Sequence, residues 1–370
     1  MSKNIVICCD GTGNEFGDHN SNVVKLYSAL TIDGTKQVGY YHPGVGTMGA
    51  PTAGNRISKT WSTIMGLAFG TGFLTNVGDA YRYLMSVFEE GDRVFLFGFS
   101  RGAYMVRALA GVLHMFGLLC PGNEGLIPYI TRLYAKKTRK AAGMTHTFQV
   151  AEGFKATFCR PCKLHFVGLW DTVSSVGWIW SPLKLPYTAQ NPDMINGRHA
   201  VSIDERRCYF QNNLWGAQLQ GQNIKQVWFA GVHSDVGGSY PYLESGLSQI
   251  TLEWMLCEAR SFDLLIDPQK ADRVLGRIPP TPPVPPNVSQ TQHNSLTPLW
   301  WLVECLPHSY YDAASRKAKW RIPFGSGRMI PADSLLHSTV QEKLRQDKNY
   351  NPANLPSHPA YEPRNTCTFA

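Results

Sequence analysis

The sequence predicts an α/β fold, a mostly parallel central sheet with helices on both faces, and three observations predict it. Short apolar, β-branched runs that end in Gly, Asp or Ser recur along the chain, as buried parallel strands do. Segments of helical spacing separate them, so the order is strand, helix, strand, the grammar of a layered α/β sandwich. Of the 370 residues, 43% are apolar, 12% aromatic and only 17% charged, which supplies a large core and excludes a mainly disordered chain.

In chain order, the first strand is expected at Asn4–Cys9, followed by a helix at 22–30 and a second strand at Gln37–His42. A helix at 76–90 leads to a third strand, Arg93–Phe99. The next helix, 101–116, carries Val106, Ala110 and Leu113 at helical spacing, with Ala103 and Gly111 small enough to pack closely on a sheet. Further strands are expected at Leu164–Trp170 and 226–232. Six prolines in the eight residues 279–286 forbid helix and favour an extended strap. The main α/β domain is therefore placed at 1–278, the strap at 279–286, and a C-terminal extension packed on the same domain at 287–370.

Other classes are excluded on similar grounds. The longest uncharged stretch, 61–78, is too diluted by Gly, Thr, Ser and Asn to span a membrane. The N-terminus enters the first strand at once and shows no signal peptide, so a cytoplasmic location is expected, compatible with secretion by a signal-independent route. Nine cysteines are an odd number in a long chain, with Cys8 and Cys9 adjacent in an apolar run, which fits a reducing compartment better than a disulfide scaffold. No zinc-finger, helix-turn-helix or RNA-binding signature accompanies the net charge of +8, so no nucleic-acid partner is expected. The residues do not specify an oligomeric state.

In sheets of this kind the ligand sits beyond the carboxyl ends of the strands. There the chain presents Asp10, Ser100, Asp171 and His233. Gly98-Phe99-Ser100-Arg101-Gly102 matches G-x-S-x-G between a strand and a helix, the context of a nucleophile elbow, in which a sharp turn exposes the serine hydroxyl. The backbone N–H of Arg101 would be one oxyanion donor at the start of the helix. A base and an orienting acid follow as His233 and Asp171, in the Ser, Asp, His order of an α/β-hydrolase fold. Asp235 is the rival acid. Two residues from His233 on the same loop, it points less easily at the imidazole, and with Gly237 and Gly238 it is expected to shape that loop. Gly11 or Thr12 is expected to offer the second oxyanion N–H, with Asp10 bracing their turn. Alternatively, Asp10, Asp171, His233 and Asp235 would surround a divalent metal, as in a metal-dependent phosphoesterase. The lone Cys159-Arg160-Pro161-Cys162 has no second pair for zinc.

Cys9-Asp10-Gly11-Thr12, Gly98-Phe99-Ser100-Arg101-Gly102-Ala103, Trp170-Asp171-Thr172-Val173 and His233-Ser234-Asp235-Val236-Gly237-Gly238, in this order, resemble the α/β-hydrolase family of type VI secretion phospholipase effectors. The resemblance runs from Asn4 to about Tyr240 and implies a Ser-Asp-His lipase that releases fatty acid from phospholipids without a cofactor. It carries the catalytic roles onto Ser100, Asp171 and His233. The chain differs from the best-known effectors in being shorter, without their membrane-anchoring module, and in having Gly13 where an aromatic is common.

The expected activity is thus a serine ester hydrolase, most simply a phospholipase, with a lipid or acyl ester as substrate and neither cofactor nor metal. A soluble carboxylesterase or thioesterase and a non-catalytic hydrolase-fold scaffold are the remaining alternatives. Two clusters hold the excess charge: Arg132, Lys136, Lys137, Arg139 and Lys140, then Arg316, Lys317, Lys319 and Arg321. Each includes an aromatic, Tyr134 or Trp320, which suits peripheral contact with an anionic membrane. Trp178-Ile179-Trp180 and Leu299-Trp300-Trp301-Leu302 are candidates for an acyl-chain wall or lid.

Overall fold

A computed structural model describes residues 2–11, 17, 19–44, 69–136, 141–173, 177–178, 181–182, 184–278, 284–312 and 317–369. Thr12, Gly13, Lys137, Arg139, Lys140, Ile179, Trp180, Arg316 and most of the proline-rich strap lie outside the described residues.

Eight strands form the central sheet: β1 (Asn4–Cys9), β2 (Gln37–His42), β3 (Arg93–Phe99), β4 (Leu164–Trp170), β5 (Met194–Ser202), β6 (Asn223–Phe229), β7 (Leu335–His337) and β8 (Ala360–Glu362). Their order across the sheet is β8-β7-β6-β5-β4-β3-β1-β2, and each neighbouring pair is parallel. The expected α/β architecture is what the chain adopts. The order reverses between β1 and β3, which makes their carboxyl ends a topological switch point, the usual place for a ligand crevice in an open α/β sheet.

Side chains alternate across the sheet as strand geometry requires. Ile5, Ile7, Val94 and Leu96 join one core with helices α1 (Phe69–Val87) and α2 (Ser100–Phe116). Val6, Cys8, Phe95, Phe97 and Phe99 join a second core on the opposite face, where α3 (Gly246–Arg260) contributes the buried Trp254 and Met255. A third core of Val201, Trp228, Leu336, Val340 and Tyr350 fixes the far end of the sheet. Among the described residues no helix is long and apolar enough to cross a membrane.

Three expectations are corrected. The strand placed at 226–232 ends at Phe229, because Gly231 turns the chain with φ 111° before His233. The central strand β5 was not expected at all: Asn196, Gly197, Arg198 and His199 give it the composition of a loop. It is buried because partners neutralise that polarity. The Arg198 guanidinium pairs with the buried Glu258 of α3 and donates to the carbonyls of Gly197 at 2.8 Å and Asn223 at 2.9 Å. Finally, Cys257 of α3 is disulfide-bonded to Cys367, 110 residues on, because the tail folds back and buries Phe369 beside that helix. The other seven cysteines are free thiols, as expected for all nine.

Candidate active site

Strand register brings the expected residues to one edge. Cys9 lies opposite Gly98, Phe99 opposite Trp170, Trp170 opposite Ala200, and Ser202 opposite Phe229, so the chain leaves several neighbouring strands at nearly one level. Ser100 opens α2 with φ 58°, a left-handed conformation that costs a non-glycine residue on the order of 1–3 kcal/mol. The flanking glycines permit the turn. A Cβ on Gly102 would sit 2.2 Å from the Cys9 carbonyl oxygen, and one on Gly98 would sit 2.7 Å from the Ala103 Cα. Asp171 is also left-handed, with φ 37°.

Ser100, His233 and Asp171 form one hydrogen-bonded line. His233 Nδ1 lies 2.5 Å from Asp171 Oδ2, and Nε2 lies 2.8 Å from Ser100 Oγ. An ionised carboxylate can only accept, so the proton sits on Nδ1 and the Nε2 lone pair faces the serine hydroxyl. The imidazole is packed between Phe99, at 4.6 Å between ring centres, and Phe210, at 4.9 Å. Burial lowers the His233 pKa, outweighing the Asp171 carboxylate that acts to raise it. Asp171 is fully buried, which by itself would raise its pKa, yet the Arg328 charge and the bonds from His233 and Arg328 hold its carboxyl well below the usual range. Such an array can deprotonate the serine hydroxyl while a carboxylate steadies the resulting imidazolium.

Residues 3–258, which carry this line of side chains, match the catalytic domain of the T6SS phospholipase effector Tle1-like family. The chain belongs to that family. An uncharacterized protein of Saccharomyces cerevisiae is 38% identical over 219 residues, 56% of this chain and 32% of the yeast protein. The crystal structure of an uncharacterized protein from Pseudomonas aeruginosa aligns over 73% of this chain and 47% of that one, with 18% identity and a TM-score of 0.41. This Tle1-like chain therefore spans less than half the length of either.

Other expected residues of the Tle1-like domain fall out differently. Asp235 accepts from Val232 N at 3.0 Å and from His293 N at 3.1 Å, which holds the turn before His233. Asp10 accepts from Ser21 Oγ at 2.6 Å and Tyr41 OH at 2.9 Å, bracing its own turn. Of Gly11 and Thr12, only Gly11 is among the described residues. Its N–H donates to Asp10 Oδ1 at 2.6 Å, so in this arrangement it is not presented as an oxyanion donor. Arg101, second residue of α2, lies directly after the serine at the helix start. Among the described residues no group of three His, Cys, Asp or Glu side chains is placed to hold a metal, so Asp10, Asp171, His233 and Asp235 do not converge as a metal site would require. In the CxxC segment, burial pushes Cys159 up to about 11 and Cys162 up to about 12, so both stay protonated thiols near neutral pH.

Four further residues around the site escaped the sequence reading. Ser202 donates to Asp171 Oδ1 through its N–H at 2.9 Å and its hydroxyl at 3.1 Å. Glu205 accepts from His233 N at 3.2 Å, Arg207 Nη2 at 2.8 Å and Ser295 Oγ at 2.9 Å. Both follow from β5, and recognising that strand would have drawn attention to its end. Arg328 and His293 come from the C-terminal extension, and no motif marked them.

His293 bridges two carboxylates, Asp235 Oδ1 at 2.6 Å and Glu244 Oε2 at 2.9 Å, with Tyr240 stacked on its ring. The bond to Asp235 outweighs partial burial and, with Glu244, raises its pKa above the ordinary 6.5. A raised folded pKa gives stability that is fully present below pH ~6.5 and lost as pH rises through the folded value. Thermal melts of wild type and His293→Gln should therefore differ most below that pH and converge above it. A pH-independent gap would remove the charged bridge.

Proposed function

We propose that this chain is a serine ester hydrolase that releases fatty acid from phospholipids through an acyl-enzyme. The observation that carries this reading is the hydrogen-bonded line Ser100–His233–Asp171 along the carboxyl edge of the sheet, with Ser100 at its switch point. Membership of a phospholipase effector family supports hydrolase chemistry on lipids. His233 Nε2 takes the Ser100 proton as Oγ attacks the ester carbonyl. Asp171 steadies the imidazolium, and the Arg101 N–H is the proposed donor to the oxyanion. His233 then returns the proton to the leaving alcohol, and a water activated by the same imidazole hydrolyses the acyl-serine. Mass spectrometry of a mixed phospholipid extract after incubation tests the substrate class: free fatty acid and lysophospholipid are expected. An unchanged extract with turnover of a short soluble ester would give a carboxylesterase or thioesterase instead.

The catalytic domain is proposed at 1–278, with 279–286 as strap and 287–370 packed on the same domain, a packing supported by the place of β7 and β8 in the sheet. We place membrane contact on helix α4 (Pro298–Glu304), on the antiparallel hairpin His308–Asp312 with Lys317–Arg321, and on the segment that follows it. Leu302 is 67% exposed and Phe324 61%, with Leu299, Trp301, Leu306, Trp320 and Ile322 also exposed. Phe324 N donates to the Glu304 carbonyl at 3.1 Å, which keeps the two segments together. The patch is basic as well as apolar, with Arg206 and Arg321 exposed beside it, as an anionic lipid surface favours. Aromatic rings link it to the site: Trp300 meets Phe210 at 5.7 Å, and Phe210 meets His233. Leu302→Glu with Phe324→Glu is expected to weaken sedimentation with phosphatidylglycerol vesicles at least about tenfold, since two apolar side chains lose their lipid burial. Unchanged sedimentation would place membrane contact elsewhere.

A further inference from the structure

Arg328 lies beyond the family-matched residues 3–258, in the segment between the hairpin and β7. Its guanidinium grips both oxygens of Asp171, with Nη1 2.5 Å from Oδ1 and Nη2 3.0 Å from Oδ2. The grip is itself held. Nη1 also donates to Ser202 Oγ at 2.7 Å, and Nε donates to the Phe210 carbonyl at 3.1 Å. The side chain is only 6% exposed, so water competes little for these bonds. Phe210, which receives the guanidinium, also packs on the His233 ring.

On the serine-hydrolase reading above, we propose that Arg328 is a positioning residue, a clamp supplied by the C-terminal extension that sets the direction of the Asp171 carboxylate and divides its charge between the guanidinium and the His233 imidazole. Two consequences oppose each other. A bidentate partner stops rotation of the carboxylate, so Oδ2 stays on Nδ1 and the imidazole stays aimed at Ser100. The same positive charge withdraws part of the carboxylate field from the imidazole, so the imidazolium forms less readily and His233 remains a neutral base to lower pH. Neither role needs Arg328 to touch substrate.

The experiment is the pH dependence of kcat and kcat/KM for p-nitrophenyl butyrate, using the full chain as wild type, Arg328→Met and Arg328→Lys. Fluorophosphonate labelling of wild type runs beside it. Loss of the clamp in Arg328→Met is expected to lower kcat by about 10²-fold with KM little changed, the scale of a small misplacement of a reacting group. The acid limb of kcat/KM should move to higher pH, because the full Asp171 charge then falls on His233. Arg328→Lys keeps a charge but cannot bridge both oxygens, so its limb should stay near that of wild type while kcat falls. A folded Arg328→Met with an unmoved acid limb overturns the proposal, as does Arg328→Lys with wild-type kcat. Should Arg328→Met fail to fold, the lysine variant decides alone by the same criterion. A wild type that neither labels nor turns over the ester removes the underlying reading, and the clamp falls with it. Active wild type with unaltered Arg328 variants removes the clamp only.

Discussion

Ser100→Ala is expected to lower kcat on phospholipid esters by on the order of 10⁶-fold and to abolish fluorophosphonate labelling, with the fold retained. The size follows from the unit character of the array: without Oγ, a correctly placed His233 and Asp171 have no nucleophile to activate. The fold is expected to survive because the Ser100 hydroxyl bonds His233 Nε2, which retains its anchor on Asp171 through Nδ1. Alanine also meets the same left-handed backbone as serine, so the substitution adds no conformational penalty at φ 58°. Circular dichroism and a thermal midpoint close to wild type would verify the fold. Labelling that persists in Ser100→Ala would place the nucleophile on another residue.

Asp171→Asn should damage both chemistry and stability. On the proposed mechanism, without its carboxylate the imidazole loses the partner that fixes its proton on Nδ1 and steadies its charge, a loss of about 10⁴-fold in kcat for a working Ser-His-Asp triad. The structural cost is separate. Arg328 would become a buried guanidinium without its carboxylate, a change of about 3–5 kcal/mol when one member of a buried pair is removed. Urea denaturation should show a lower midpoint for Asp171→Asn and partial recovery in the double variant with Arg328→Met, since the stranded charge is then gone. Recovery of stability without recovery of kcat is the expected signature. If the double variant is as unstable as the sum of its parts, the two residues are not energetically coupled.

Much of this site was legible because its chemistry sits where strands end. Asp10, Ser100 and Asp171 each follow an apolar run whose boundaries hydrophobicity marks, and parallel register then levels those ends. His233 joins the line despite a three-residue error in the expected end of its strand, because the Gly231 turn lies between strand and histidine. The illegible part has a physical cause as well. β5 buries Arg198 by pairing it with a glutamate 60 residues away, a compensation no local window reveals. Ser202 and Glu205 were hidden with it. Arg328 acts across a longer separation, 157 residues to Asp171, and His293 across a comparable one, 58 to Asp235. The Gly11 N–H is held locally, by the carboxylate of the adjacent Asp10, a contact that residue types alone do not reveal.

The parallel pairing of β6 with β7 bears on how this protein can be divided. β6 hydrogen-bonds β5 on one side, and on the other it is covered by β7, then β8, from the last part of the chain. A piece cut to the family boundary at residue 258 would strip that cover and leave Asn223–Phe229 as a bare rim, with Trp228 and Phe229 beside unpaired N–H and C=O groups. Such a rim recruits strands from other molecules. The strands that follow residue 258 thus keep that edge of the sheet covered.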